Sequence, residues 1–436
     1  MKKILALLLA VIMVMSLAAC GGDANKTTDP TDNKETPTQG NQEKPTEGGN
    51  TEVTDVTLKV WGPAEDQAEG NSWLKSVEDA FEAAHPEYNI TWVNEVCNEG
   101  EAGTMVSTDP AAAADVYMFA NDQLGTLVSA GAISRLGGAF EEQVKNDNGA
   151  LQVSTVTHTD GNIYGFPVTN NTWFMYYNKD VFTEEDVKDL DVMLEKGVVA
   201  FPWGTGWYSG TFFFANGGEC FGPNGTDAAA GIQFGKDNGG YEAAETMYKL
   251  AANPNFKDDA SGLGNAGLKD GTVHAYFSGS WDYGGEKGLK AAMGDKVGAV
   301  QLPVVTIGGE KKQMMSFAGT KAVGVNPHSA NPAAATQFAA FLASVESQKS
   351  RYEMRGVIPA ATVLAEDEDI KTNMIAVAEI NTMTNTAVVQ SAIPEMGNFW
   401  PPIENFGGLC ASGAINADNY KEQVDQMMEA LNSTGL

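Results

Sequence analysis

Val56, Leu58 and Val60 stand two apart with polar residues between them, and this period of two predicts a strand over residues 53–61. Trp61-Gly62-Pro63 ends it. From about residue 71 the period lengthens. Trp73, Val77, Phe81 and Ala84 share one helical face, and His85-Pro86 stops the helix. A strand over 89–96 follows, then a nearly continuous apolar run, 115–120, of the kind a parallel sheet buries on both faces. Residues 124–130 read as a helix closed by Gly131. This alternation of strand and helix predicts an α/β layer architecture, whose ligands sit beyond the carboxyl ends of strands.

The pattern changes between Asp160 and Asp180. Asp160-Gly161 is a tight-turn signal. Residues 163–168 form a short apolar strand, with Pro167 near its end because proline cannot donate to a ladder. Thr169-Asn170-Asn171-Thr172 is polar without being a turn, and a second apolar strand, 173–177, follows at once. Two strands joined head to tail by an extended polar joint suit a chain crossing between two lobes.

Downstream, helical patches around 184–196 give way to a run crowded with aromatics and glycines, 201–221. A helix is predicted over 241–251, and the Leu268-Lys269-Asp270-Gly271 turn leads into a strand, 273–277, ending at Ser278-Gly279-Ser280-Trp281. Residues 301–303 and 317–325 read as strands. Asn331-Pro332 opens a helix with Phe338, Phe341, Leu342 and Val345 inward. Helices near 369–380 and 418–431 finish the chain, without internal repeats.

With 436 residues there is room for two domains. The formal net charge of −30 disfavours nucleic acid or an anionic membrane surface as partner, since both demand a basic footprint. Met1-Lys2-Lys3 and the apolar run 4–14 form a secretion signal too short for a mature span. Leu17-Ala18-Ala19-Cys20 resembles the lipobox of bacterial lipoproteins, which implies that Cys20 is lipidated after cleavage of 1–20. Residues 21–52 hold hardly an apolar side chain, and are expected to be a disordered tether reaching roughly 30 Å. Cys97, Cys220 and Cys410 show no CxxC spacing, so buried thiols are expected rather than a disulfide framework. The four histidines form no metal-ligand cluster, so no metal and no cofactor is expected.

Several pieces match one family. They are Asp115 to Asp122 with Gly125 and Ala130-Gly131; Tyr164 to Asp180, ending Tyr-Asn-Lys-Asp; Ala215-Asn216-Gly217-Gly218; Gly271 to Trp281; and Pro394 to Trp400. In this order the chain resembles the maltose/maltodextrin-binding lipoproteins of ABC sugar importers, from about residue 55 to its end. The resemblance implies a two-lobe periplasmic-binding-protein-like α/β fold of type II. Its discontinuous lobes, 53–170 plus 321–368 and 171–320 plus 369–436, would be joined by three hinge crossings near Asn170, residues 317–320 and Asp369, with the ligand cleft between them. It also implies a non-enzymatic, lipid-anchored monomer at the outer face of the cytoplasmic membrane, delivering a neutral oligosaccharide to permease subunits.

A neutral oligosaccharide presents flat C–H faces and rings of hydroxyls, so its site needs aromatic plates and oriented polar groups. Trp61, Trp207, Trp281 and Trp400 sit at element ends beside Gly or Pro, whereas Trp73 and Trp92 suit a core. By the resemblance, Trp61, Trp281 and Trp400 fall on cleft positions, Trp207 on a sugar-stacking aromatic, and Phe119 on another. The polar candidates are Glu65 and Asp66 after the first strand, Asp122, Asn171 at the crossing, and Glu404 after Trp400-Pro401-Pro402. Asp122 matches a family sugar-binding aspartate. Asn171, Pro401 and Glu404 depart from the family's frequent glutamate, aromatic and arginine, which leaves open another oligosaccharide or small solute. Cleft carboxylates also suit a secreted glycoside hydrolase, which needs two of them at a set separation.

Overall fold

The structure is a computed structural model that describes residues 53–433 apart from 71, 224, 285 and 286. The expected signal segment with Cys20, and the whole of the expected tether, lie outside the described residues. Among those described, no helix is long and apolar enough to cross a membrane.

Two mixed sheets organise the chain. In the first, Thr54–Gly62 pairs in parallel with Tyr88–Val96 and Val116–Ala120. The long strand Ser316–Val325 runs antiparallel to Val116–Ala120 and to Phe166–Asn171. The second sheet has the order Val297–Val300, Phe174–Asn178, Ala275–Ser278, Val199–Phe201, Phe256–Asp258.

Each sheet carries its own core. Val56, Leu58 and Val60 point into the first, where they meet the Trp73–Ala84 helix through Trp73, Leu74, Val77 and Phe81. Ser72 caps that helix by accepting from the Lys75 amide, which satisfies one of its free N-terminal donors. In the second sheet, Trp173, Met175 and Tyr177 enter one core and Phe174 and Tyr176 a smaller one on the opposite face. That is the alternation expected of a strand covered on both sides.

The crossings follow from which core each residue joins. Val168 belongs to the first core and Trp173 to the second, so the chain passes over within Thr169–Thr172. Phe317 lies in the second and Ala322 in the first, so Ser316–Val325 spans both bodies and crosses near 318–321. The third passage comes after the Val345–Arg355 helix, through a small separate core containing Leu364 and Ile370, to Ile375 and Ala378 beneath the second sheet. This is the two-lobe, discontinuous α/β architecture with a three-crossing hinge. Buried side-chain bonds hold the hinge. Thr155 Oγ1 meets Thr320 Oγ1 at 2.6 Å, Gln152 Nε2 donates to Asn170 Oδ1 at 3.1 Å, and Thr172 Oγ1 donates to the Phe317 carbonyl at 2.7 Å.

The pattern of the sequence misled in several places. Residues 268–270 suggest a turn but end the helix Leu263–Asp270, closed by Gly271 at positive φ. Residues 301–303 bend, and the strand begins at Val304 as half of a hairpin with Glu310–Gln313, turned by Gly308 and Gly309 at positive φ. The helix opened by Pro332 stops at Leu342, and Ser344 caps a separate helix, Val345–Arg355, so Val345 does not extend the first stripe. Helices Glu99–Thr108, Ala139–Asp147 and Ala150–Thr155 have too few apolar residues for a legible stripe.

Candidate functional site

The densest group of candidates lies at the edge of the second core. Trp207 belongs to the one-turn helix Gly206–Ser209, and its carbonyl accepts from Trp173 Nε1 at 3.0 Å. Trp281 projects from the turn after Ala275–Ser278 and is 55% exposed. The two indoles stack, with centroids 6.0 Å apart and planes at 25°. A chain of phenols and a carboxylate holds the Trp281 turn in place. Asp282 Oδ2 accepts from Tyr276 Oη and Ser278 Oγ, both at 2.7 Å, and Tyr176 Oη donates to the Gly279 carbonyl at 2.9 Å. Gly279 is needed because a Cβ there would stand 1.9 Å from the Trp281 ring.

Trp400 opens the helix Trp400–Ala411 and packs edge-on against Phe317 and Phe399. A second glycine brings this helix close: a Cβ on Gly206 would lie 3.4 Å from Trp400 Cε3 and 3.3 Å from Glu404 Cγ. Trp207, Trp281, Trp400 and the exposed Glu404 therefore form one neighbourhood beside the hinge strand.

The first lobe meets the same strand from the other side. Lys321 pairs with Ala120, the residue before the Asn121–Gln123 turn. Asn121 fixes that turn to the hinge by accepting from the Thr320 amide at 3.0 Å and donating to the Gln390 carbonyl at 3.3 Å. Burial raises the pKa of the neighbouring Asp122 carboxyl. Asn171 closes its strand opposite Gly319 and is half-buried. Glu65 stands exposed on the turn Ala64–Gln67.

Three candidates sit differently from a free ligand contact. Phe119 is 0% exposed, 6.0 Å from the Tyr117 ring, because every position from Val116 to Phe119 is buried between layers. It therefore has no face to offer a sugar, against the expectation from the resemblance. Asp66 is 1% exposed, with both carboxylate oxygens engaged by arginines, so it is an internal ion-pair partner rather than a free acceptor. Trp61 is 7% exposed; its Nε1 donates to Glu95 Oε2 at 2.6 Å and Lys59 Nζ lies 5.3 Å from its ring. That indole bond and Lys59 together hold the Glu95 carboxyl below its usual range.

Sequence reasoning missed Glu95, Tyr208, Asp282 and Arg351. Glu95 was within reach, since parallel pairing from the first residues of both strands sets it beside Trp61. Tyr208, whose ring lies 4.9 Å from Trp173, sits inside the unparsed aromatic run.

The family described as bacterial extracellular solute-binding protein matches residues 77–379. A maltooligosaccharide ABC transporter solute-binding lipoprotein of Streptococcus pneumoniae serotype 4 is 26% identical, covering 96% of this chain and 94% of its own. A galactooligosaccharide-binding protein of Bacillus subtilis strain 168 is 25% identical over 98% and 96%. A solved structure with acarbose is 42% identical, with a TM-score of 0.81, and covers 87% of this chain and 100% of that one.

Proposed function

Since this chain belongs to the bacterial extracellular solute-binding proteins, we propose that it is the sugar receptor of an ABC importer, capturing maltooligosaccharides and delivering them to a membrane permease. The observation that carries the ligand class is the Trp207–Trp281 stack beside Trp400 and Glu404. Aromatic plates match the apolar faces of a glycan. If each plate covers roughly 50–80 Å² of apolar sugar surface, it contributes about 1–2 kcal/mol. Three such plates supply a large part of the ~8 kcal/mol of a micromolar complex, and polar groups must add the rest against the cost of association.

In this reading Trp207, Trp281 and Trp400 are the plates, with Trp61 at the edge. Glu65, Asp122, Asn171 and Glu404 orient hydroxyls, while Asp66 and Phe119 support the walls from within. The lobes are 53–170 plus 321–368 and 171–320 plus 369–436. A sugar held by one lobe gains contacts with the other only on closure, and that differential affinity shifts the population toward the closed form. The receptor works as a monomer tethered through lipidated Cys20 at the outer face of the cytoplasmic membrane, and it catalyses nothing.

A second ligand, a galactooligosaccharide, is favoured by the similar likeness to the Bacillus subtilis protein. Calorimetric titration with maltose, maltotetraose, acarbose and a galactotetraose separates the two. Micromolar binding of the glucans supports the proposal, and binding of the galactan alone replaces it. Incubation with maltotetraose is expected to give no shorter products; their appearance would make the chain a hydrolase.

A further inference from the structure

Arg351 is 4% exposed, yet it bonds to residues far apart in the sequence. Its Nε and Nη2 reach Asp66 Oδ1 and Oδ2 at 3.2 and 2.6 Å, and its Nη1 donates to Thr169 Oγ1 at 2.6 Å. Its Nη2 also lies 3.9 Å from Glu99 Oε1, which Lys321 Nζ approaches to 3.6 Å. Arg355 adds a bond to Asp66 Oδ1 at 3.1 Å, and the Arg351 guanidinium stands 5.1 Å from the Trp73 ring centre.

Each partner belongs to a different working part. Asp66 lies in the Ala64–Gln67 turn that exposes Glu65. Thr169 lies at the first crossing, two residues before Asn171 and paired with Lys321 of the second crossing. The turn has other anchors too: Gln67 Nε2 donates to the Gly62 carbonyl at 2.8 Å, and Ser72 Oγ to the Asp66 carbonyl at 3.1 Å. Gln67 Nε2 also donates to the Glu95 carbonyl at 3.1 Å, so these anchors stay within the first two strands and the helix between them. Among the described contacts, Arg351 is what bolts the turn to the hinge.

A buried ion pair is a weak source of net stability but a strong constraint on geometry, because a planar fork meets a carboxylate in one orientation. Lysine, a point charge on a flexible stem, does not reproduce that constraint. We propose that Arg351 is a positioning residue for ligand capture: without touching sugar, it fixes the Glu65 turn relative to the hinge strands, so that Glu65 is presented in register with the closing lobe. This rests on the sugar-receptor reading above.

The test uses the full chain with Arg351→Lys, Glu65→Gln and the double variant. Amide hydrogen exchange of the sugar-free protein reads positioning directly. Arg351→Lys is expected to speed exchange about tenfold or more in segments 64–70 and 168–171, with 275–300 unchanged as local opening requires. Titration with maltotetraose at 20 °C is expected to show about tenfold weaker binding for Arg351→Lys, and little further loss when Glu65→Gln is already present, the non-additivity of residues acting through one another. A purely structural arginine would lower the melting temperature and leave both the affinity and the exchange pattern as in the parent. Unchanged exchange, unchanged affinity or strictly additive losses each overturn the proposal. If Arg351→Lys does not fold, Thr169→Val removes one arm of the same clamp and is held to the same outcomes. Should the parent chain bind no glucan, the receptor reading fails, and the exchange measurement alone still decides whether Arg351 fixes the turn.

Discussion

Truncating Trp281 to alanine isolates the aromatic contribution to sugar binding. Its indole is 55% exposed and rests against Trp207, so little packing is lost in the sugar-free protein. The melting temperature should therefore move by no more than a degree or two, since exposed substitutions change stability by about 0.5 kcal/mol or less. The ligand loses a plate worth about 1–2 kcal/mol, which raises the dissociation constant roughly 5- to 30-fold. Trp173→Ala is the contrasting change. That indole is fully buried among Phe201, Tyr208 and Phe277, and its removal should cost about 3–5 kcal/mol of folding stability. Isothermal titration with maltotetraose, paired with thermal unfolding of the sugar-free variants, separates the two effects. A Trp281→Ala dissociation constant within twofold of the parent refutes the role given to this plate.

Gly279→Ala should mimic Trp281→Ala in affinity, because a Cβ 1.9 Å from the indole must displace it; titration at equal thermal stability checks this. Asp122→Asn keeps the shape of the turn but weakens a charge-assisted acceptor, with an expected loss of about 1.5–3 kcal/mol in sugar affinity by titration. Scattering of the parent chain should show a smaller radius of gyration on adding maltotetraose, and an unchanged profile at saturation counts against lobe closure. Glu379 predicts a pH dependence. It is fully buried on the helix Met374–Asn385 and burial lifts its pKa from 4.5 to about 8, so the folded state keeps a proton that the unfolded chain has released. Stability should fall as pH rises from about 4.5 to 8, and Glu379→Gln should flatten that part of the curve in denaturant titrations across pH.

Local pattern carried much of the fold. The two-residue period of Val56, Leu58 and Val60, the helical stripe through Trp73, Val77 and Phe81, and the polar joint at Thr169–Thr172 are short-range consequences of backbone geometry, and each survives in the structure. Indoles at element ends beside Gly or Pro singled out Trp207, Trp281 and Trp400, and the structure brings these three into one neighbourhood. Other features required the folded chain. Asp66 and Glu65 are adjacent and chemically alike, yet one turns inward to arginines 285 and 289 positions away while its neighbour faces water. Phe119 looks like a plate until the layers on both sides of its strand are in place. Ion pairing and burial between distant segments depend on how the lobes are assembled, and no spacing within a local window encodes that.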